Sequence, residues 1–172
     1  MKREEILFYL AENKMYFFLL KLKKEVVKKV DTTSFFKFGE IYSVDECFNT
    51  INKIVSKFRI VNGIFKPIVH VLYNDVTNCD LEYLYANSLL SLNYSEIKFY
   101  KMTDLLKEFD NYNRIVFFNS GCYTFFAEKV KLKSLNKIGF NPIVIGDNDC
   151  EHIHFSDSDI IWNRFKSHFT KE

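Results

Sequence analysis

The sequence predicts a single α/β domain over residues 1–172, with a mixed sheet that starts with an antiparallel meander and has helices packed on it. Two patterns predict this class. Aromatic and β-branched runs joined by short polar turns fill the start of the chain, and short apolar runs alternate with helical spacing in the middle. Apolar residues make up 48% of the chain and aromatic residues 17%, which excludes disordered and fibrous classes.

The meander is predicted from the first forty residues. "EILFYLA" and "KMYFFLLKL" are apolar runs on either side of a polar "EN", a connection that suits a hairpin turn. "EVVKKVDTTSFFKF" is rich in β-branched and aromatic residues and ends at Gly39, so it predicts one or two further strands of the same antiparallel set. The lysines of "KLKKEVVKK" indicate a strand face that contacts solvent.

Strands and helices alternate after Ser43. Ser43 can cap a helix, Glu46 lies three residues further on, and apolar residues recur at helical spacing as far as Phe58. After the loop "NGIFKP", the run "PIVHVLYND" is short and apolar, which is typical of a buried central strand. "NCDLEYLYANSLLSLN" then predicts a second amphipathic helix, and "EIKFYK" predicts the next strand.

The last third of the chain predicts further strands and a closing helix. "MTDLLKEFD" predicts a short helix, "RIVFFNS" a buried strand, and "GCYTFFAEKVKLKSL" an outgoing strand with a return hairpin. "NPIVIGDND" and "CEHIHF" are strand candidates. "SDSDIIWNRFKSHF" predicts a helix capped by Ser156 or Asp157.

Charge and hydropathy limit the classes of partner. The formal charge of +2 is too small to imply a nucleic-acid or membrane surface by itself, because such binders show a concentrated basic face. The apolar stretch "ILFYLAENKMYFFLLKL" is interrupted by "ENK", so no run reaches the roughly 20 residues that cross a bilayer. We therefore expect no nucleic-acid partner and no membrane insertion, and leave peripheral membrane association open.

The four cysteines are irregularly spaced, and none forms a Cys-x-x-Cys pair. No secretory signal is predicted ahead of them, so reduced thiols and a cytoplasmic location are expected.

"GDNDCEHIHF" carries the candidate metal ligands Cys150, His152 and His154. In an extended segment these three side chains point to one face of the sheet, and zinc accepts cysteine and histidine ligands. Because alternate side chains on a strand lie roughly 6–7 Å apart, adjacent ligands can chelate but the outer pair usually cannot. Histidines with no metal on an ordinary strand are the alternative.

Two other patterns have a chemical and a structural interpretation. Cys122 follows a predicted strand within "NSGCYT", where a nucleophile could sit if a base such as His70 were close, but a structural cysteine explains the pattern as well. The acidic and histidine cluster from Asp147 to Asp159 could hold a divalent cation, although loop and helix-cap roles also explain those acids.

Residues 5 to about 146 resemble one lobe of a bacterial actin-like ATPase, of the cell-division, rod-shape and pilus-assembly type, which has a ribonuclease H-like fold. "FKFGEIYSVDECFNTINKIV" resembles the third strand, a glycine and the first crossover helix of that family. "KPIVHVLYNDVTNCDLEYLYANSLLSLNYSEIKFYK" resembles its next strand, helix and strand. "RIVFFNSGCYTFFAEKVKLKSL" stands where the family has its second phosphate hairpin.

The chain departs from the family in both phosphate loops. The first hairpin has "LAENKMYF" in place of a loop rich in Asp and Gly, and the second has "FFNSGCYT" in place of an Asp followed by glycines. The resemblance therefore implies a reduced relative that does not hydrolyse nucleotide. It would act by binding partners, as relatives do at the cytoplasmic face of membrane complexes.

Three functional hypotheses remain. The first is a non-catalytic protein-binding adaptor or scaffold, a degenerate actin-like component of a membrane-associated assembly or secretion machine, with no cofactor. The second is a small metal-dependent enzyme that hydrolyses phosphoesters with the Asp147–Asp159 cluster. The third is an immunity or antitoxin-like binding protein. The first makes enzymatic activity the less favoured expectation.

Overall fold

A computed structural model describes residues 3–11, 13–37, 40–61, 63–73, 75, 81–106, 108, 114–119, 122–126, 142–145 and 158–170. The strands are β1 Glu5–Ala11, β2 Lys14–Leu19, β3 Lys24–Lys29, β4 Phe36–Lys37, β5 Glu40–Ile41, β6 Ile68–Tyr73, β7 Glu96–Lys101, β8 Arg114–Asn119, β9 Cys122–Phe126 and β10 Pro142–Ile145. The helices are α1 Val44–Lys57, α2 Leu81–Ser88, α3 Met102–Leu106 and α4 Ser158–Thr170, with a short 3-10 helix at Leu90–Leu92.

The main sheet has five strands in the order β3-β2-β1-β6-β7. β1, β2 and β3 pair antiparallel, and β6 and β7 continue the sheet parallel to β1. Phe8 of β1 therefore faces Phe17 of β2 on one side and Val71 of β6 on the other. The predicted α/β class, with a mixed sheet that starts as a meander, is confirmed.

Alternation along the strands gives the main sheet two apolar faces. Side chains such as Phe8 and Phe17 pack with α1 and α2, whereas Leu7 and Tyr16 pack with α3 and α4. Because both faces are covered, β1 is buried almost throughout.

Local chemistry explains where α1 begins. Ser43 has an extended backbone, and its hydroxyl accepts a hydrogen bond from the backbone N–H of Glu46 at 3.4 Å. Asp45 and Glu46 in the first turn and Lys57 in the last turn match the helix dipole. The helix predicted from Ser43 is confirmed.

Of the one or two further strands predicted from "EVVKKVDTTSFFKF", one joins the antiparallel set of the main sheet. "SFFKF" does not continue the antiparallel set of the main sheet, because β4 pairs with β5 in a separate two-stranded ladder. The chain turns away after β3: the side chain of Asp31 accepts from the N–H of Thr33, and the carbonyl of Thr32 accepts from the N–H of Phe36. The third strand of the main sheet is therefore Lys24–Lys29, and the lysine-rich stretch is its largely exposed edge.

β8, β9 and β10 form a second sheet in the order β10-β8-β9. β9 pairs antiparallel to β8, and β10 pairs parallel to it. The strand predicted at "RIVFFNS", the outgoing strand of "GCYTFFAEKVKLKSL" and the strand within "NPIVIGDND" are confirmed. The predicted return hairpin, at residues 127–135, lies outside the described residues. "CEHIHF" and the predicted caps Ser156 and Asp157 lie outside the described residues.

The closing helix α4 returns to the main sheet. Trp162 is 1% exposed, its ring lies 5.2 Å from that of Tyr16 between centroids, and its indole N–H donates to Glu25 Oε2 at 3.1 Å. Lys166 also donates to that carboxylate. The last described element is thus fixed to the meander at the start of the chain.

Within the described part of the chain, no helix combines the length and the hydropathy that crossing a membrane requires.

Candidate functional site

The predicted metal ligands Cys150, His152 and His154 lie outside the described residues, as do Asp147, Asp149 and Asp157. The metal site therefore stays a prediction. Elsewhere, the described side chains include no group of three or more His, Cys, Asp or Glu residues placed to share an ion.

Asp159 is the one member of the acidic cluster whose surroundings are described, and it makes structural contacts. Its Oδ1 accepts a hydrogen bond from the Tyr16 hydroxyl at 2.6 Å and lies 3.5 Å from Lys14 Nζ. Ser158 also hydrogen-bonds to the Tyr16 hydroxyl. Burial raises the pKa of Tyr16, and its bond to Asp159 adds to that effect, so Tyr16 keeps its proton. These contacts hold the start of α4 on β2.

His70 lies in a buried polar chain across three strands. It is 3% exposed, its Nε2 lies 2.7 Å from Glu5 Oε2, and its Nδ1 lies 2.8 Å from the Tyr100 hydroxyl. Because a carboxylate only accepts, Nε2 donates to Glu5 and Nδ1 accepts from Tyr100. Phe169 of α4 covers the ring at 4.8 Å between centroids. Both ring nitrogens of His70 are therefore occupied by structural contacts, and the interpretation of Cys122 as a nucleophile stays a prediction.

The His70 chain predicts a dependence of stability on pH. Burial lowers the pKa of His70 below its ordinary value of 6.5, although the hydrogen bond to Glu5 opposes this effect. The unfolded chain therefore binds more protons than the folded chain below about pH 6.5. Neutral His70 contributes its full stabilisation when the pH is above the pKa of a histidine in the unfolded chain. We expect this stabilisation to be lost as the pH falls toward the lower pKa of His70 in the folded chain.

Chemical denaturation of the wild type and of His70→Gln across pH 7.5 to 5 checks this expectation. The variant should lose about 1–3 kcal/mol at pH 7.5, because buried hydrogen bonds are broken. It should also show a shallower fall in stability toward acid. Equal slopes for the two proteins would show that His70 is not responsible.

Exposed apolar side chains concentrate at one end of the main sheet, where β1 and β6 begin. Leu22 lies in the β2–β3 turn and is 65% exposed, while Ile64 and Phe65 lie in the loop before β6 and are 97% and 49% exposed. The three side chains line one hollow of about 330 Å³. Leu22, Ile64 and Phe65 are three of the seven large hydrophobic side chains that are exposed among the described residues.

Cations surround this hollow. Arg3, Lys21 and Arg59 line it, with Glu4 as the one acidic side chain among its described lining residues. The Glu4 carboxylate accepts from the backbone N–H of Lys21 at 2.7 Å. In residues 20–24 and 57–66 the sequence has three cationic residues per segment and no acidic residue. We call this surface the basic end, defined by Arg3, Lys21, Leu22, Lys23, Arg59, Ile64, Phe65 and Lys66.

Further lysines gather beside the basic end around Phe58, at the end of α1. Lys24 Nζ donates to the Phe58 carbonyl at 2.8 Å, which satisfies an oxygen at the negative end of the helix dipole. The ammonium groups of Lys57 and Lys28 lie 5.7 and 5.9 Å from the centre of the Phe58 ring. Positive charge therefore predominates over this part of the described surface.

A different surface lies at the other end of α1. Tyr42 directly follows β5 and is 58% exposed, and Tyr83 in the first turn of α2, which packs beside β5, is 66% exposed. Asp45 and Glu46 in the first turn of α1 and Glu82 in the first turn of α2 are also exposed. We call this surface the tyrosine face, defined by Tyr42, Tyr83, Asp45, Glu46 and Glu82.

The backbone of the tyrosine face is fixed even though its side chains are exposed. The N–H of Tyr42 donates to the Phe35 carbonyl at 2.9 Å, and the Tyr83 carbonyl accepts from Asn87 Nδ2 at 2.9 Å. The Tyr73 hydroxyl donates to Glu82 Oε1 at 3.1 Å. The face is acidic, rigid and aromatic, in contrast to the basic end.

Sequence reasoning missed the basic end. "NGIFKP" is typical of a plain loop, and the lysines of "KLKKEVVKK" indicate a solvated strand face. The available signal was Leu22, Ile64 and Phe65, which are large apolar residues at positions that no helical or strand period places in a core. Only the fold shows that the two segments meet.

Two solved structures resemble the chain. One is the crystal structure of ethanolamine utilization protein EutJ from Carboxydothermus hydrogenoformans, with a TM-score of 0.49 and 10% identity over 78% of this chain. The other is the crystal structure of MreB5 of Spiroplasma citri bound to ADP, with a TM-score of 0.46 and 10% identity over 72% of this chain. Both are proteins of the actin-like ATPase fold, the fold whose lobe the sequence resembles.

The matched region spans about half the length of each of these proteins, 51% of EutJ and 48% of MreB5. The likeness concerns the course of the chain and not an activity. No protein-family model matches the chain, and no curated protein matches it.

Proposed function

We propose that this chain is a non-catalytic protein-binding adaptor or scaffold and that its protein partner binds the tyrosine face. The exposure of Tyr42 and Tyr83 on a rigid, acidic surface carries the proposal. Tyrosine is enriched at protein interfaces, because its ring supplies a large contact area and its hydroxyl can hydrogen-bond at the rim. A cytoplasmic component of a membrane-associated assembly would need such a surface.

The chemistry of this surface favours binding over catalysis. Hydrogen bonds to Phe35 and from Asn87 hold the backbones of Tyr42 and Tyr83, so few degrees of freedom are lost on association. The acids that accompany them favour a partner with basic side chains at the rim of the contact. An immunity or antitoxin-like protein would use the same physics and differs only in the identity of the partner.

Site-specific photo-cross-linking in cells of the natural host tests the proposal. A benzophenone amino acid is placed at position 42, at position 83 or, as a matched control, at the exposed Asn163 of α4. We expect positions 42 and 83 to cross-link to the same protein and position 163 not to do so. Absence of a shared product, or the same product from position 163, would contradict the proposal.

The purified partner then allows a quantitative test. The double variant Tyr42→Ala/Tyr83→Ala should bind the partner at least about 10-fold more weakly, because each interface tyrosine of this kind contributes on the order of 1–2 kcal/mol. Both side chains are exposed, so the melting temperature should stay close to that of the wild type. Unchanged affinity would exclude the tyrosine face as the docking site.

A further inference from the structure

We propose that the outer edge of β3 is a second binding site, which takes up an extended, acidic segment of a protein as a further strand of the main sheet. The segment would pair with the backbone of Lys24–Lys29, and its carboxylates would contact the lysines of that strand. This inference concerns a different surface and a different ligand chemistry from those of the proposed function, because the tyrosine face is itself acidic.

The position of β3 leaves one of its edges without a described strand partner. β3 is the last strand of the order β3-β2-β1-β6-β7, and β2 is its neighbour on the inner side. Two hydrogen bonds show which backbone groups β2 directs to each neighbour. The N–H of Leu20 donates to the carbonyl of Glu5 ahead of β1, and the N–H of Val30 donates to the carbonyl of Asn13. In an antiparallel ladder, residues that bond to the neighbouring strand alternate with residues that do not.

This alternation directs a second set of backbone groups away from the sheet. Every second residue counting back from Val30 bonds to β2, so the N–H and C=O groups of Glu25, Val27 and Lys29 point outward. Among the residues that the structure describes, no backbone hydrogen bond uses these outward groups. A strand edge with unpaired donors and acceptors is a template for another strand.

Lysines dominate the side chains of this edge. Lys24, Lys28 and Lys29 are half of β3, and none of the ion pairs between described residues includes them. The carboxylate of Glu25, the one acid of the strand, already accepts hydrogen bonds from two side chains of α4. The edge therefore has an excess of positive charge, which acidic side chains of an incoming strand would neutralise.

Both faces of the edge offer contacts to an added strand. On one face, the ammonium groups of Lys28 and Lys57 lie 5.9 and 5.7 Å from the centre of the Phe58 ring, so the end of α1 adds a cation beside the strand. On the other face, Val27 is 42% exposed. An apolar residue opposite Val27 would remove its side chain from water.

The chemistry of the edge distinguishes an acidic segment from other occupants. Pairing with β3 of a second copy would bring two sets of three lysines together, and lysines on edge strands disfavour such self-pairing. A nucleic acid would contact the cations but would leave the alternating N–H and C=O groups without a matching backbone. An acidic peptide strand satisfies both the charge and the backbone.

Hydrogen exchange measured by NMR on the full chain tests the inference. In the free chain, the amides of Glu25, Val27 and Lys29 should exchange faster than those of Val26 and Lys28, because only the latter bond to β2. The probe is a synthetic eight-residue peptide with glutamate opposite the three lysines and valine opposite Val27. We expect the saturating peptide to slow exchange at the three outward amides at least about 10-fold. Unchanged rates, or slow exchange at these amides before the peptide is added, would overturn the proposal.

Two modified peptides separate strand pairing from simple attraction between charges. N-methylation of the residue opposite Val27 blocks an amide that would point toward β3, so the affinity should fall at least about 10-fold. N-methylation of the residue opposite Lys28 changes an amide that would point away from β3, and the affinity should stay within about 3-fold. Equal affinities for the two modified peptides would show that the segment does not pair as a strand, and the proposal would be wrong.

Variants of the chain test the contribution of the lysines. Lys28→Gln/Lys29→Gln should weaken binding of the unmodified peptide about 3- to 10-fold, because opposite charges across a ladder stabilise the pairing. The matched control Lys98→Gln/Lys101→Gln removes the same charge from β7, the other edge strand of the main sheet, and should bind within about 2-fold of the wild type. Equal losses in the two pairs would show only an effect of net charge and would contradict the proposal. None of these variants touches the tyrosine face, so failure here leaves the protein-binding proposal intact.

Discussion

Replacing Trp162 with alanine is expected to lower the free energy of unfolding by about 3–5 kcal/mol. Trp162 is buried between α4 and the main sheet, where it packs on Tyr16 and Phe165 and donates its indole N–H to Glu25. The substitution leaves a cavity and removes the donor from a carboxylate that Lys166 also contacts. Urea denaturation followed by circular dichroism measures the change.

Asn163→Ala is the matched control for this prediction. Asn163 neighbours Trp162 on α4 but is exposed, so its replacement should change stability by no more than about 0.5 kcal/mol. If Trp162→Ala lowered the free energy of unfolding no more than the control does, α4 would not pack on the meander as described. The second apolar face of the main sheet would then not be covered by α4.

Replacing Phe8 with alanine is expected to have a similar cost, about 3–5 kcal/mol, on the opposite face of the sheet. Phe8 is fully buried in the central strand β1, 5.1 Å from the ring of Phe17 and 6.4 Å from that of Tyr85 between centroids. The Phe8 ring connects β1 to β2 and α2. Its removal would leave a cavity with walls from three elements, which cannot collapse easily. Thermal and urea unfolding measure the loss.

The control for Phe8 lies on the edge strand of the same sheet. Val27 on β3 is 42% exposed, and Val27→Thr keeps the branched shape, so we expect a change within about 0.5 kcal/mol. A small effect at Phe8, or an equally large one at Val27, would contradict the assignment of β1 to the centre of the sheet.

Local patterns were sufficient to predict most of the elements. The cap at Ser43, the apolar spacing of α1 and the short buried run of β6 depend on neighbours a few residues apart, and the structure confirms all three. The sequence left open whether "SFFKF" adds a second strand to the antiparallel set, because strand propensity does not specify which strand a segment pairs with. The turn from Asp31 to Thr33 takes the chain out of the main sheet, so β4 does not pair with β3.

The binding surfaces were harder to predict, because each joins segments that are distant along the chain. Leu22 and Ile64 are 42 positions apart, and no local pattern shows that their loops lie at one end of the sheet. The small net charge of +2 also gives no indication that lysine and arginine are concentrated at the basic end. By contrast, "CEHIH" predicts a metal site from a local pattern alone, because cysteine and histidine are common metal ligands, and that site stays a prediction.

Binding of the purified partner to the chain is the measurement that tests the adaptor most directly. The cross-linked partner is purified and titrated with the wild-type chain and with the Tyr42→Ala/Tyr83→Ala chain by isothermal titration calorimetry. We expect the partner to bind the wild-type chain and to bind the variant at least about 10-fold more weakly. If the partner binds both chains equally well, or binds neither, the tyrosine face is not its docking site and the adaptor account is wrong.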